Sequence, residues 1–185
     1  GEPLLTAGIL ELISFISSEG YRTNLVTNGF LVDEVMALGL AGSGLDTLTI
    51  SLDGSRPETH DFIRGIKGSY ERVIQAIGHL EKHRKDKKPK IALLSIIMGY
   101  NVDELLPLTE WVQHDHRIEM ISFQAVTQPF CEGMDNAWFK KEKNHFLWPQ
   151  DIPKTANIMD KLRGLRLSGY KIGNHPNHFL HFREY

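Results

Sequence analysis

Ser51, Asp53 and Arg64 are the residues whose types and spacing could do chemistry together. They lie in the stretch Asp46–Gly65, which reads DTLTISLDGSRPETHDFIRG. A hydroxyl, a carboxylate and a guanidinium near one strand end suit a small polar ligand that carries an amine or hydroxyls and a carboxylate. The elements that must position them can be read in the same stretch. Leu45, Leu48, Ile50 and Leu52, interleaved with Thr47, Thr49 and Ser51, have the length and β-branched content of a strand inside a parallel sheet. Gly54 permits a sharp exit, so Ser51 and Asp53 stand at the carboxyl end of that strand, where open α/β sheets and barrels build their sites. A strand, a Gly turn and a helix whose charges face water fit the same residues.

Other groups suggest less. His175, His178 and His181 recur at intervals of three along the tail, and histidine is a common zinc ligand, but Pro176 and Phe179 interrupt them and Glu184 is the sole acidic partner nearby. The basic run His83–Lys90 reads as a solvated helix end and loop on the rim opposite the site. Cys131 is the single cysteine, which excludes an intramolecular disulfide and a multi-cysteine cluster from this chain and fits a reducing, cytoplasmic setting. At 185 residues with 41% hydrophobic and 24% charged residues, the chain is of ordinary globular composition. A formal net charge of −2 gives no reason to expect nucleic acid, and no window has the uninterrupted apolar length of a membrane span.

Taken in order, the chain predicts an amphipathic helix after a Thr6 cap and a strand at Tyr21–Thr27. A helix follows, with Asp33 near its start and Gly39 near its end. The strand at 45–52 comes next, then a helix capped by Ser69, a buried strand at Ile91–Met98, and a helix capped by Asn101. The last clear strand, Ile118–Ala125, has Gln124 at its carboxyl end. Strands alternating with helical crossovers imply a parallel sheet, doubly wound or curled as a barrel. From Val126 to Pro149 the periodicity fails, and the segment reads as a long loop with some helical turns, of the kind that forms substrate lids. A helix from Asp151 through Leu165 and a short one after Pro176 close the chain.

Gly1-Glu2-Pro3, Thr27-Asn28-Gly29, Ser51-Leu52-Asp53-Gly54 and His60-Asp61-Phe62-Ile63-Arg64-Gly65, in that order and separated by crossovers, resemble the core domain of radical S-adenosylmethionine enzymes over residues 1–125. The resemblance implies a partial parallel (β/α) barrel, TIM-barrel-like and missing its first strands, with residues 126–185 as a carboxyl-terminal extension. It implies an enzyme that binds S-adenosylmethionine beside a 4Fe-4S cluster and generates a 5'-deoxyadenosyl radical to modify an unidentified substrate, with a reductant for the cluster. By the same resemblance Gly1 and Glu2 receive the methionine amino group, and Thr27 and Asn28 line the cavity. Ser51 and Arg64 hold the methionine carboxylate with Asp53 beside them, and Asn101 and Gln124 face the ribose and adenine.

The family's three cluster cysteines, spaced Cys-x-x-x-Cys-x-x-Cys, have no counterpart here, and Cys131 cannot replace them. The expectation is therefore a fragment, inactive alone and less stable than its parent, with the first strand an exposed edge; no residue is assigned a catalytic step or a metal. Two rival readings are a non-catalytic binding or scaffold domain on the same fold and an unrelated α/β-barrel enzyme. The second would need a Schiff-base lysine or a Gly-rich phosphate loop at a strand end, and neither is found there.

Overall fold

The computed structural model describes residues 1–128, 133, 135 and 137–184, apart from the side chains of Lys143 and Glu184. Cys131, and the acidic group of Glu184 considered beside the tail histidines, lie outside what is described. The helices are α1 (Ile9–Ser18), α2 (Glu34–Gly42), α3 (Pro57–Arg64), α4 (Ser69–His83), α5 (Leu105–His114), α6 (Ile152–Leu167) and α7 (Pro176–Glu184), and the strands are β1 (Asn24–Thr27), β2 (Thr47–Ser51), β3 (Lys90–Ile97) and β4 (Ile118–Ala125). The four strands pair in parallel in the order β1-β2-β3-β4. Parallel neighbours need crossovers, and α2, α3 with α4, and α5 supply them. Beyond β4 the sheet is extended by a parallel bridge between Ile121 and Ile172.

Strand alternation sorts the side chains into two faces. Leu48, Ile50, Leu93, Ile121 and Phe123 are buried against the helices, while Thr49, Ser51, Leu94, Ile96, Ser122 and Gln124 point to the inner side of this partial barrel. Ile158, Met159 and Leu162 of α6 and Phe179 of α7 join the same core as the strands. The helices after residue 126 are thus packed onto the sheet, not tethered to it.

Several local expectations are corrected, two of them by tertiary contacts. Thr6 does not cap α1; that place is taken by Gly8, at φ 78°, and Thr6 closes a short 3-10 turn, Pro3–Leu5. Ser69 is the first residue of α4 and not its cap, because Asp61 in α3 accepts hydrogen bonds from the Gly68 and Tyr70 amides and the Ser69 hydroxyl. Helix α2 runs past Gly39 to Gly42, and β1 begins at Asn24, since Thr23 is tied to Asp46 just before the ladder starts. Asp33 does cap α2, accepting from Met36 N at 2.8 Å. Asn28-Gly29 turns into that helix with Gly29 at φ 79°, and a Cβ on Gly29 would stand 2.9 Å from Ile50 Cγ2. Both facts require glycine there. The basic run sits at the amino end of β3, where Lys88 pairs with Asp46 and Lys90 with Glu119.

Candidate functional site

The carboxyl ends of β2 and β3 are joined by a buried polar network. Asp53, 1% exposed, accepts from Ile96 N at 2.9 Å and pairs with Arg64 Nη2 at 2.6 Å. Its own amide donates to Nδ1 of His60 at 3.1 Å. Asn101 donates to Asp53 O at 2.7 Å and Ile96 O at 2.8 Å while accepting from Met98 N at 2.8 Å. Two strand ends that face different crossovers are thereby fixed to each other through side chains.

Glu104 does the same for the start of α3. One carboxylate oxygen accepts from Ser55 N (2.8 Å), Ser55 Oγ (3.0 Å) and Arg56 N (3.1 Å). The other accepts from Arg56 Nε (2.9 Å), Arg56 Nη2 (2.6 Å) and the Thr59 hydroxyl. Orphan amides at a helix start are satisfied by an anion placed where the helix dipole favours it. Burial pushes the Glu104 carboxyl up, but the hydrogen bonds from Thr59, Arg56 and Ser55 outweigh it and hold the group below its ordinary range. For Asp53 burial wins, against Arg64 and the Ile96 amide, and its carboxyl lies above the ordinary value. Burial, and then the Arg64 charge, lower His60 to about 4, so its imidazole is a neutral acceptor for the Asp53 amide.

At the end of β1 the arrangement is open. Glu2 Oε1 accepts from Thr27 Oγ1 at 2.7 Å and Leu4 N at 3.2 Å, and Oε2 accepts from Asn28 N at 2.8 Å. Thr27 is buried, Glu2 is half-buried, and Gly1 and Asn28 are exposed. Ser51 ends β2 half-buried on the inner side, and Gln124 is exposed near the end of β4, in register with Ile96.

The segment after β4 docks on this rim. Gly99 N donates to Leu147 O and Tyr100 N to Phe146 O, each at 3.0 Å, and a Cβ on Gly99 would collide with the Trp148 carbonyl. Met98, Val126 and Trp138 form a second small core there, with Ile63 and Ile96 against it. Phe62 stacks on Tyr100 with ring centroids 4.2 Å apart.

The structure thus brings Glu2, Thr27 and Asn28 together, and separately Asp53, Arg64 and Asn101. Arg64 is paired with Asp53 and not with Ser51, and Asp53 bridges to β3. Asn101 departs most from its sequence reading: it is fully buried, its amide is spent on backbone, and it makes no side-chain cap to the turn that follows it. Glu104 and the acceptor role of His60 were missed or left vague by sequence reasoning. The available signal was a carboxylate between Val102 and Leu105, a position whose neighbours are core residues.

The profile of the Radical SAM superfamily matches residues 1–112. This chain belongs to that superfamily. It is 37% identical over 82 residues to the AdoMet-dependent heme synthase of Methanosarcina barkeri, covering 44% of this chain and 24% of that protein. It is 41% identical over 78 residues to the PqqA peptide cyclase of Rhizobium meliloti, covering 42% of this chain and 21% of that protein. The chain therefore spans less than a quarter of the length of these radical SAM relatives. Its fold is similar to that of Streptococcus suis SuiB, solved bound to S-adenosylmethionine, with a TM-score of 0.68 at 14% identity over 96% of this chain and 39% of that one. The α/β fold with its four parallel strands is thus that of a radical SAM partial barrel. Among the described residues no group of three or more His, Cys, Asp or Glu could hold a metal ion, and no helix is long and apolar enough to cross a membrane.

Proposed function

We propose that this chain is the S-adenosylmethionine-binding part of a radical SAM enzyme, and that its ligand lies along the carboxyl-terminal rim from Glu2 to Gln124. The observation that carries the reading is the placement of polar groups at three of the four strand ends on the accessible side: the Glu2 carboxylate and Asn28 at β1, Ser51 at β2, and Gln124 at β4. The donor set fits the ligand. A half-buried carboxylate already fixed by three hydrogen bonds has lone pairs left for an ammonium. Ser51 offers a hydroxyl to the methionine carboxylate, and Arg64, held by Asp53, supplies positive charge behind it. Thr27, Asp53 and Asn101 are buried and hold these groups in place without touching the ligand; Gly1 approaches it through backbone.

S-adenosylmethionine, bound beside a 4Fe-4S cluster, supplies the radical chemistry of the parent protein. The chain's own residues bind and orient the methionine end, and the segment docked on Gly99 and Tyr100 packs against the β3 end of the rim. Separated from the cluster, the chain binds but does not cleave. Residues 1–125 carry the cofactor, and α6 and α7 of the 126–185 extension share the core of the sheet. The PqqA peptide cyclase and heme synthase relatives act on unlike substrates by name.

Titrating S-adenosylmethionine into the chain while following amide NMR signals tests the reading. Saturable shifts confined to residues near Asn28, Ser51 and Gln124 are expected. Shifts scattered over the surface, or none, would leave the scaffold reading in its place.

A further inference from the structure

We propose that the inner face beside α7 is a second binding site, for a carboxylate-bearing ligand with an apolar body, read by His178 and His181. Leu94, Ile96, Ser122 and Gln124 of the sheet and His178 and His181 of the helix line one open cavity of about 800 Å³. Among the described residues no acidic side chain lines it, and the ionisable groups there are the two imidazoles. An imidazole donates an N–H whether neutral or charged, and Ser122 and Gln124 add a hydroxyl and an amide; an oxyanion has donors on both sides of the cavity. Leu94, Ile96 and Phe182 provide apolar wall for the rest of the ligand.

The helix is not loosely placed. Asn174 accepts from Phe123 N at 2.7 Å and donates to Phe123 O at 2.9 Å, as a strand residue would. Gly173 N donates to Ile121 O at 2.8 Å, and Phe179 is buried in the main core. The register of α7 against β4 is thus set just before the two histidines and again between them, which preorganises them. Among the described residues the tail histidines belong to no group that could hold a metal ion. His175 does not line the cavity and instead packs edge-on to His178 with ring centroids 6.2 Å apart.

Gln124 belongs both to this cavity and to the proposed cofactor rim, so a ligand here lies beside the cofactor, where the substrate of a radical enzyme must be. The word substrate rests on the reading of the preceding subsection, whereas carboxylate binding does not, and the two are measured separately. Phenylacetate and phenylacetamide are titrated, without S-adenosylmethionine, into the full chain labelled on histidine, and the imidazole NMR signals are followed. Phenylacetate should shift His178 and His181 saturably, and phenylacetamide should bind roughly tenfold more weakly. In H178L/H181L, which removes both donors, the preference for the acid over the amide should vanish, with the amide spectrum away from α7 unchanged, and H114Q/H116Q should retain it. Equal binding of acid and amide, shifts as large at His114 as at His178, or no saturation by phenylacetate overturns the proposal. Failure of S-adenosylmethionine to shift Asn28 and Ser51 would count against the cofactor reading alone.

Discussion

Two corners of the same sheet, both built from polar residues at strand ends, are made on opposite plans. Where β2 meets β3, Asp53, His60, Asn101 and Glu104 are buried, and their bonds run to backbone and side chains of the neighbouring element. Where β1 ends, Glu2 bridges Thr27 and Asn28 but stays half open to water, and Asn28 is exposed. A buried polar group costs stability unless it is answered, so the first corner holds its shape with no ligand. The second has capacity to spare, which suits a surface that must exchange water for a ligand. Polarity at a strand end therefore does not by itself mark a contact residue; accessibility divides the positioning groups from the binding ones.

The largest effect expected at the closed corner is from Glu104→Ala. It strands the Ser55 and Arg56 amides and the Thr59 hydroxyl, and should cost about 4 kcal/mol of unfolding free energy in urea. A cost within ~0.5 kcal/mol of zero would mean water replaces the carboxylate and the corner is as open as the rim. Asn101→Ala follows, at about 3 kcal/mol, since it leaves Asp53 O, Ile96 O and Met98 N unanswered. Asn101→Asp should be nearly as costly, because a carboxylate cannot donate to the two carbonyls; tolerance of it would show that the donor bonds matter little.

The closed corner should also be the acid-sensitive one. His60 titrates at about 4 in the folded chain, below its ordinary value of 6.5, so between these values the unfolded chain binds the extra proton. Its contribution is therefore intact above the unfolded value and is lost as the pH falls through this window, a loss of about 3 kcal/mol. His60→Asn, whose carbonyl can still accept from Asp53 N, should flatten the fall in urea midpoint over that range. An unchanged slope would assign it to other groups.

How much of this division was legible in the sequence follows from the range of the interactions. The strands and their order were readable because apolar alternation is a local signal, and Ile118–Ala125 was placed to the residue. Asp33 was legible as a cap because its partner is three residues away. Asp61, Asn101 and Glu104 were not: Asp61 caps the next helix, and Asn101 and Glu104 reach back nearly fifty residues to the β2–α3 turn. The motifs showed which residues gather at the rim, but spacing carries no information on which of them face water. Thr27 and Asn28 are adjacent, and one is buried and the other exposed.

The smallest change in stability belongs to the open corner and is the most discriminating. Glu2→Gln keeps one acceptor for Thr27 and loses the charge, and should cost only about 1 kcal/mol of stability. If Glu2 also receives the ligand's ammonium, the same substitution should weaken S-adenosylmethionine binding about tenfold in a calorimetric titration, because a charge-assisted bond is replaced by a neutral one. Loss of affinity with little loss of stability is the signature of a group whose capacity was held in reserve. The opposite pattern, a stability cost as large as that of Glu104→Ala with affinity unchanged, would make Glu2 a second closed-corner residue. The ammonium would then have to be bound by backbone carbonyls of the β1 turn, and the contrast between the corners would be one of exposure without one of role.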